Sequence, residues 1–186
     1  MAEVESGTLL LVTPPVTRSV NGIHEVEVDF SNNLRLYLKN FSRVTFAGPV
    51  FPDQQARGVI LRSVPIDKLP NAERLSFIPL PYAYREDRYL RHYFAIKQLL
   101  ASEIAKTEYL IFSPHANFEW STLAARLAIK AKRKFDMESD HDHASAARFH
   151  LAMMSAGPKK LRKTILAKSF IKNVEACFSK SSLIAA

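Results

Sequence analysis

Short apolar segments, each bounded by proline or polar residues, recur along the chain. Tyr109–Phe112 is uniformly apolar, and Thr8–Val12 (TLLLV) is almost so. Blocks of this kind are typical of parallel strands whose two faces are both covered by helices. Strands are predicted at residues 8–12, 43–47, 59–64, 75–80, 109–112 and 135–138.

Apolar residues at helical spacing lie between these strands and predict four helices. Phe30, Leu34, Leu38 and Phe41 mark the first helix, and residues 85–107 form the longest. A third helix follows Asn117, and the last, within 158–180, has a predicted buried face of Leu161, Ile165, Leu166, Phe170, Val174 and Phe178. The predicted buried stripe of the longest helix runs through Leu90, Phe94, Lys97, Ala101 and Ile104, widened by Tyr93, Ile96 and Leu100.

Alternation of strands and helices predicts an α/β fold. We expect a Rossmann-like, doubly wound and mostly parallel sheet of six to seven strands with helices on both faces. Residues 1–186 are expected to form a single domain, and residues 158–186 to supply a basic final helix and a closing strand.

Composition narrows the class of protein. The 186 residues are 47% hydrophobic and 24% charged, which suits a globular domain with a sizeable core. Cys177, the single cysteine, excludes an intramolecular disulfide and a cysteine-based zinc cluster. The first residues lack the basic and apolar regions of a signal peptide, and no apolar run approaches the roughly 20 residues that cross a bilayer. The default expectation is a cytoplasmic protein, with membrane contact at most peripheral, at the inner face.

The net charge of +8 is concentrated near the C-terminus. Between Pro158 and Lys180 there are seven Lys or Arg residues and one acid, Glu175. A solvated helix face is one interpretation of this pattern, and an anionic partner is the other. The residues predicted to contact an anionic surface are Lys159, Lys163, Lys168 and Lys172.

The end of the strand at Tyr109–Phe112 is the strongest candidate for a functional site. Ser113-Pro114 stops the strand, and His115 and Asn117 then lie in the turn before the next helix. In doubly wound folds ligands bind at the carboxyl ends of the strands. His115 is therefore the candidate catalytic residue and Asn117 a candidate substrate-binding residue, although a histidine in such a turn can equally serve as a capping or packing residue.

The sequence Asp140-His141-Asp142-His143 combines residue types that bind zinc or manganese. Adjacent residues rarely reach one ion together, so a solvated loop is the competing interpretation and no metal site is predicted. Asp140 alone is expected to accept hydrogen bonds from a hydroxylated ligand at the end of a strand.

Glycine-rich phosphate-binding motifs are missing. The 186 residues contain five glycines and neither G-x-G-x-x-G nor G-x-x-x-x-G-K-[ST]. Tight binding of a dinucleotide or nucleoside triphosphate by this chain alone is not expected, and no cofactor is predicted.

Four segments carry a resemblance to a known family: TLLLVTPPVTRSVNG, YLKNF, RVTFAGPVF and SPHANFEW. Together they resemble the amino-terminal domain of retaining GT-B-type glycosyltransferases, which include bacterial polysaccharide and lipid glycosyltransferases. The resemblance implies two Rossmann-like domains facing a cleft, the first holding the acceptor and the second the sugar nucleotide. It places His115 near the transferred sugar and the Asn21-Gly22 loop near the donor phosphates, without the family's usual paired glycines.

The resemblance covers one of the family's two domains. It implies a truncated, acceptor-side domain that binds a sugar acceptor and needs a missing second domain to bind the sugar nucleotide and to catalyse transfer. The alternative is a non-catalytic α/β module whose basic final helix binds an anionic partner, membrane lipid in preference to nucleic acid.

Overall fold

The computed structural model of the protein describes residues 5–14, 16–51, 62–83, 85–114 and 118–138, together with 164–165, 167–169, 171–172, 175–176, 179–180 and 184–185. Its strands are β1 (Glu5–Val12), β2 (Thr17–Val20), β3 (Ile23–Glu27), β4 (Phe41–Phe51), β5 (Ser63–Pro65), β6 (Leu75–Pro81), β7 (Tyr109–Phe112), β8 (Asp136–Glu138) and β9 (Ile184–Ala185). Its helices are α1 (Val28–Asn40), α2 (Glu86–Lys106) and α3 (Trp120–Lys130), with short 3-10 turns at Ile66–Lys68 and Ala72–Arg74. Further helical residues occur between 164 and 176.

Six strands form a parallel sheet in the order β6-β4-β1-β7-β8-β9. Numbered along the chain as parallel strands, this is the order 3-2-1-4-5-6 of the doubly wound Rossmann arrangement. The predicted fold class is therefore confirmed.

The central strand β1 is buried on both faces. Leu9, Leu10, Leu11 and Val12 are fully buried, and alternate side chains point to opposite faces of the sheet. Leu11 packs in the cluster formed with α1, whereas Leu10 and Val12 pack in the cluster formed with α2 and α3. Each such side chain stabilises the fold by roughly 1.5–3 kcal/mol when buried, so these four residues make a substantial contribution to the core.

Strand β4 is longer than the sequence predicts. It was expected to end at Ala47 because of Pro49, but it continues to Phe51. It also begins earlier, at Phe41, which was predicted to lie on the first helix. Its residues up to Ala47 pair with β1, and Val50 and Phe51 pair with β2. Pro49 lies in the gap between these two ladders, where a missing N–H is tolerated.

A hairpin adds antiparallel strands to the sheet. β2 and β3 are joined by Asn21 and Gly22, whose φ angles of 50° and 80° are those of a type I′ turn. β5 pairs antiparallel with β3. The strand predicted over residues 59–64 is thus Ser63–Pro65, and it is not one of the parallel strands; residues 59–61 lie outside the described part of the chain.

Helix α2 presents a different face to the core than the sequence predicts. Leu90 and Phe94 were expected to be buried, but they are 64% and 75% exposed. Tyr89 is buried in their place, whereas Ile96, Leu100 and Ile104 are buried as predicted. Both stripes have helical spacing, so the pattern alone does not distinguish them, and the stacking of Tyr89 on Trp120 sets the orientation.

The end of α2 is capped by an arginine from a later segment. The guanidinium of Arg133 donates to the carbonyl oxygens of Ile104 (2.6 Å), Ala105 (3.5 Å), Thr107 and Glu108 (3.1 Å). A cation at this position satisfies carbonyls that lack helical partners and complements the negative end of the helix dipole. Arg133 thereby ties the end of α3 to the turn between α2 and β7.

The described C-terminal residues depart from the expected burial pattern. Ile165 was predicted to face the core but is 61% exposed. Lys168 and Lys172 are exposed, and β9 closes the sheet by pairing in parallel with β8. Within the described residues, no helix is both long enough and apolar enough to cross a membrane.

Candidate functional site

The candidate site is the crevice beyond the carboxyl ends of β1 and β7. These strands are neighbours in the sheet, yet the helices that follow them, α1 and α3, cover opposite faces. The chain therefore diverges after Val12 and Phe112, and this divergence is the sheet's topological switch point, where we expect a crevice. Open α/β sheets bind ligands at this position.

The floor of the crevice is held by hydrogen bonds to one carbonyl. The carbonyl oxygen of Val12 accepts the backbone N–H of Ser113 (3.1 Å) and the hydroxyl of the fully buried Ser121 (2.9 Å). Next to it, Thr13 donates its N–H to Ala47 (3.4 Å) and its hydroxyl to the carbonyl of Pro14 (3.0 Å). Backbone and small hydroxyl side chains thus form a floor whose geometry is fixed before any ligand arrives.

Aromatic side chains support one side of this crevice. The indole N–H of Trp120, the first residue of α3, donates to the carbonyl of Pro81 at the end of β6 (2.7 Å). Its ring stacks on Tyr89, with 4.6 Å between ring centroids. Burial, with a smaller contribution from Tyr93, raises the pKa of Tyr89 to about 12, so this phenol stays neutral at physiological pH.

Two carboxylates near the carboxyl edge were not identified from the sequence. Glu119 is buried at the start of α3. Glu138, the last residue of β8, accepts a hydrogen bond from Tyr37 (3.3 Å) and a long one from Asn33 (3.5 Å) on α1. Burial and the charge of Glu138 raise the pKa of Tyr37 strongly. Both could have been identified from the sequence as acidic residues at the boundary of a strand or helix, but Asp140 was selected instead.

Several predicted site residues lie outside the described part of the chain. These are His115, Asn117, Asp140, Lys159 and Lys163. His115 and Asn117 lie between two described residues, Pro114, which follows β7, and Phe118, which precedes α3. Assignment of His115 and Asn117 to the crevice therefore remains a prediction.

Asn21 and Gly22 lie in the exposed hairpin turn. Gly22 lines a separate cavity together with His24, Ile66 and Leu75, and none of the described residues lining that cavity belongs to the crevice floor. Because Leu75 begins β6, the cavity lies toward the amino end of that strand.

The described residues contain no group of three or more His, Cys, Asp or Glu side chains placed to hold a metal ion. The Asp140–His143 segment is outside the described ranges.

No protein-family model matches the sequence, and no curated protein matches it significantly. Among solved structures, the C-terminal domain of a hydrogenase from Pyrococcus furiosus aligns with a TM-score of 0.44 and 10% identity, over 74% of this chain and 95% of that domain. A UDP-glucosyltransferase from Polygonum tinctorium aligns with a TM-score of 0.42 and 16% identity, over 88% of this chain. A UGT transferase from Siraitia grosvenorii, solved with UDP, aligns with a TM-score of 0.36 and 15% identity, over 78% of this chain.

The chain spans 34% and 30% of the two glycosyltransferases. Similarity at these scores assigns no family and no activity. The Rossmann-like fold is therefore established by the strand order of the chain itself, and function has to be inferred from the site.

Proposed function

We propose that this chain is the acceptor-side domain of a sugar-nucleotide-dependent glycosyltransferase, with the crevice at the ends of β1 and β7 as its binding site. The observation that carries the proposal is the 3-2-1-4-5-6 strand order, whose switch point lies directly before His115. A second, donor-binding domain would supply the groups that bind the nucleotide diphosphate.

The chemistry of the crevice suits a hydroxylated ligand. Ser113, a half-buried residue directly after β7, lies beside it, and its hydroxyl can donate and accept hydrogen bonds. Sugars present hydroxyl groups with the same dual capacity, so donor and acceptor roles can be matched on both sides. The fixed floor at Val12 lowers the entropic cost of binding because few groups need to be ordered.

His115 is assigned to the sugar or acceptor hydroxyl. It follows β7 by three residues. An imidazole ordinarily changes charge near neutral pH, so it can take a proton from a hydroxyl or hold the hydroxyl by a hydrogen bond. In this proposal the groups that stabilise the leaving diphosphate belong to the second domain, so the isolated chain should bind an acceptor weakly and transfer no sugar.

Amide chemical shifts of the purified chain test this assignment. We expect p-nitrophenyl β-D-glucoside, used as an acceptor probe, to shift the amide signals of Thr13, Ser113 and Ser121. His115→Ala should weaken that binding, whereas the control His92→Ala, on α2, should not. UDP-glucose should be neither hydrolysed nor used as a donor by either protein.

Two results would contradict the proposal. Absence of glucoside shifts at the crevice in a folded protein would remove the acceptor role. Turnover of UDP-glucose by the isolated chain, lost in His115→Ala, would show that the domain is self-sufficient rather than half of an enzyme.

A second candidate function is binding of an anionic membrane surface. Lys168 and Lys172 are exposed and four residues apart, so they share a face of the C-terminal helical segment. Exposed Ile165 adds an apolar side chain to this segment. A lysine near an anionic surface contributes about 1 kcal/mol, so binding should be salt-sensitive.

Vesicle co-sedimentation tests this candidate. Phosphatidylserine vesicles should bind the chain at low salt and release it at high salt, and Lys168→Glu with Lys172→Glu should abolish binding. Lys39→Glu with Lys132→Glu, at exposed lysines elsewhere, is the matched control. Equal binding to neutral and anionic vesicles, or binding to duplex DNA alone, would refute the membrane role.

A further inference from the structure

The cavity beside the β2–β3 hairpin has a volume of about 550 Å³ and is distinct from the crevice. The hairpin folds over the sheet so that the His24 ring lies edge-on to Phe77 of β6, with 5.0 Å between centroids. The two 3-10 turns close another side. Apolar side chains of Ile23, Ile66, Leu75 and Phe77 make up much of its wall. A volume in this range holds a small organic molecule.

One polar atom in the wall is left without a partner. Nδ1 of His24 is shielded from solvent and accepts or donates no hydrogen bond. Because water cannot reach Nδ1 although it can enter the cavity, a ligand in the cavity cannot bond to this atom. His24 therefore contributes to the wall through its ring, which packs against Phe77.

The charged side chains among the described residues that line the cavity are acidic. Asp67 and Glu73, one from each 3-10 turn, are exposed and line the cavity, and no Lys or Arg is among the described residues that line it. Lys68 and Arg74 are adjacent in sequence but are not part of this wall. The carboxylates give the cavity a negative potential within a protein whose net charge is +8.

We propose that this cavity binds a small organic cation with a flat apolar body, of the arylalkylamine class. The apolar walls bury the ring, and Phe77 can add a cation–π contact. The ammonium group would lie near Asp67 and Glu73. Like-charge repulsion disfavours phosphates and other anions, and a bare metal ion would leave the apolar walls uncovered.

Three indole probes of different charge test the proposal: tryptamine (cation), 3-methylindole (neutral) and indole-3-propionate (anion). Titration calorimetry should rank them in that order, with tryptamine roughly tenfold tighter than the anion because each exposed carboxylate acts at high dielectric. Tryptamine should shift the amide signals of Gly22, His24 and Phe77, and added salt should weaken it selectively.

Two variants separate the electrostatic contribution from the apolar one. Asp67→Asn with Glu73→Gln should weaken tryptamine about fivefold and leave 3-methylindole unchanged. Ile23→Lys places a competing cation at the half-exposed rim and should weaken tryptamine further without disturbing the core. Glu108→Gln, at an exposed carboxylate before β7, is the matched control and should change nothing.

Equal affinity for the three indoles would refute the proposal, as would shifts confined to residues outside the cavity. No detectable binding of tryptamine by the folded protein would refute it too. These results are independent of the crevice proposal, which is tested with a glucoside and a different set of amide signals.

Discussion

Replacement of Arg133 by methionine should cost about 3 kcal/mol of unfolding free energy. Of the four carbonyls that its guanidinium contacts, those of Ala105 and Glu108 are in exposed surroundings and can exchange to water. The bonds to Ile104 and Thr107 are partly buried. Charge-assisted hydrogen bonds of this kind contribute roughly 1.5–3 kcal/mol each, and the helix dipole adds about 0.3–1 kcal/mol. Methionine keeps most of the apolar stem, so little of the loss comes from packing.

Urea denaturation followed by far-UV circular dichroism measures this cost. A loss of that size corresponds to a drop in Tm of roughly 6–12 °C for a chain of this length. Arg133→Lys should fall between wild type and Arg133→Met, because one ammonium cannot reach carbonyls on both sides of the turn. Lys134→Met, at the exposed neighbouring residue, should change stability by less than about 0.5 kcal/mol. If Arg133→Met is no less stable than Lys134→Met, the capping role is wrong.

Three further predictions concern the hairpin and the aromatic wall. Gly22→Ala should destabilise the protein by roughly 1–2 kcal/mol, because alanine is strained at the φ of 80° even though its Cβ meets no neighbouring atom. Urea denaturation measures this loss, and an unchanged unfolding midpoint would rule out strain at the type I′ turn. The pKa of Glu25 is lowered by the hydrogen bond from Ser63 and by Arg18, so its stabilisation is complete above the ordinary value of 4.5 and is lost as pH falls through the lowered folded-state pKa. Glu25→Gln should therefore flatten the decline of stability below pH 4.5, and parallel profiles would contradict this assignment. Trp120→Phe should lower the free energy of unfolding by about 2 kcal/mol, because the Pro81 carbonyl loses its hydrogen-bond donor. Thermal melting would detect this loss, and an unchanged Tm would contradict it.

Local patterns were sufficient to predict most of the parallel sheet. The TLLLV and YLIF blocks each predict a buried parallel strand, since continuous apolar residues of strand length must be covered by helices on both faces of the sheet. Helix α2 was predicted in position but not in rotation, because Leu90 and Tyr89 each begin a stripe with helical spacing. Contact with Trp120, thirty-one residues beyond Tyr89, decides between the stripes, and sequence periodicity contains no such long-range information.

The switch point of the sheet could also be located from the sequence, since it depends only on which strands are parallel and where they end. The cavity beside the hairpin could not, because it exists only when β3 folds over β6 and brings His24 against Phe77. Asn21-Gly22 is a strong hairpin signal and could have predicted the turn. It could not have predicted the direction in which the hairpin bends.

The central position of β1 has a consequence for how the protein is made. Leu9 pairs with Val44 on one side and with Tyr109 on the other, so its second partner is synthesised one hundred residues later. At translation rates of about 5–20 residues per second, the TLLLV segment waits roughly 5–20 s with one edge unpaired. An apolar, uncharged strand in that condition is prone to pair with other chains. Productive folding in the cell should therefore depend on holdase chaperones that protect this segment until β7 leaves the ribosome.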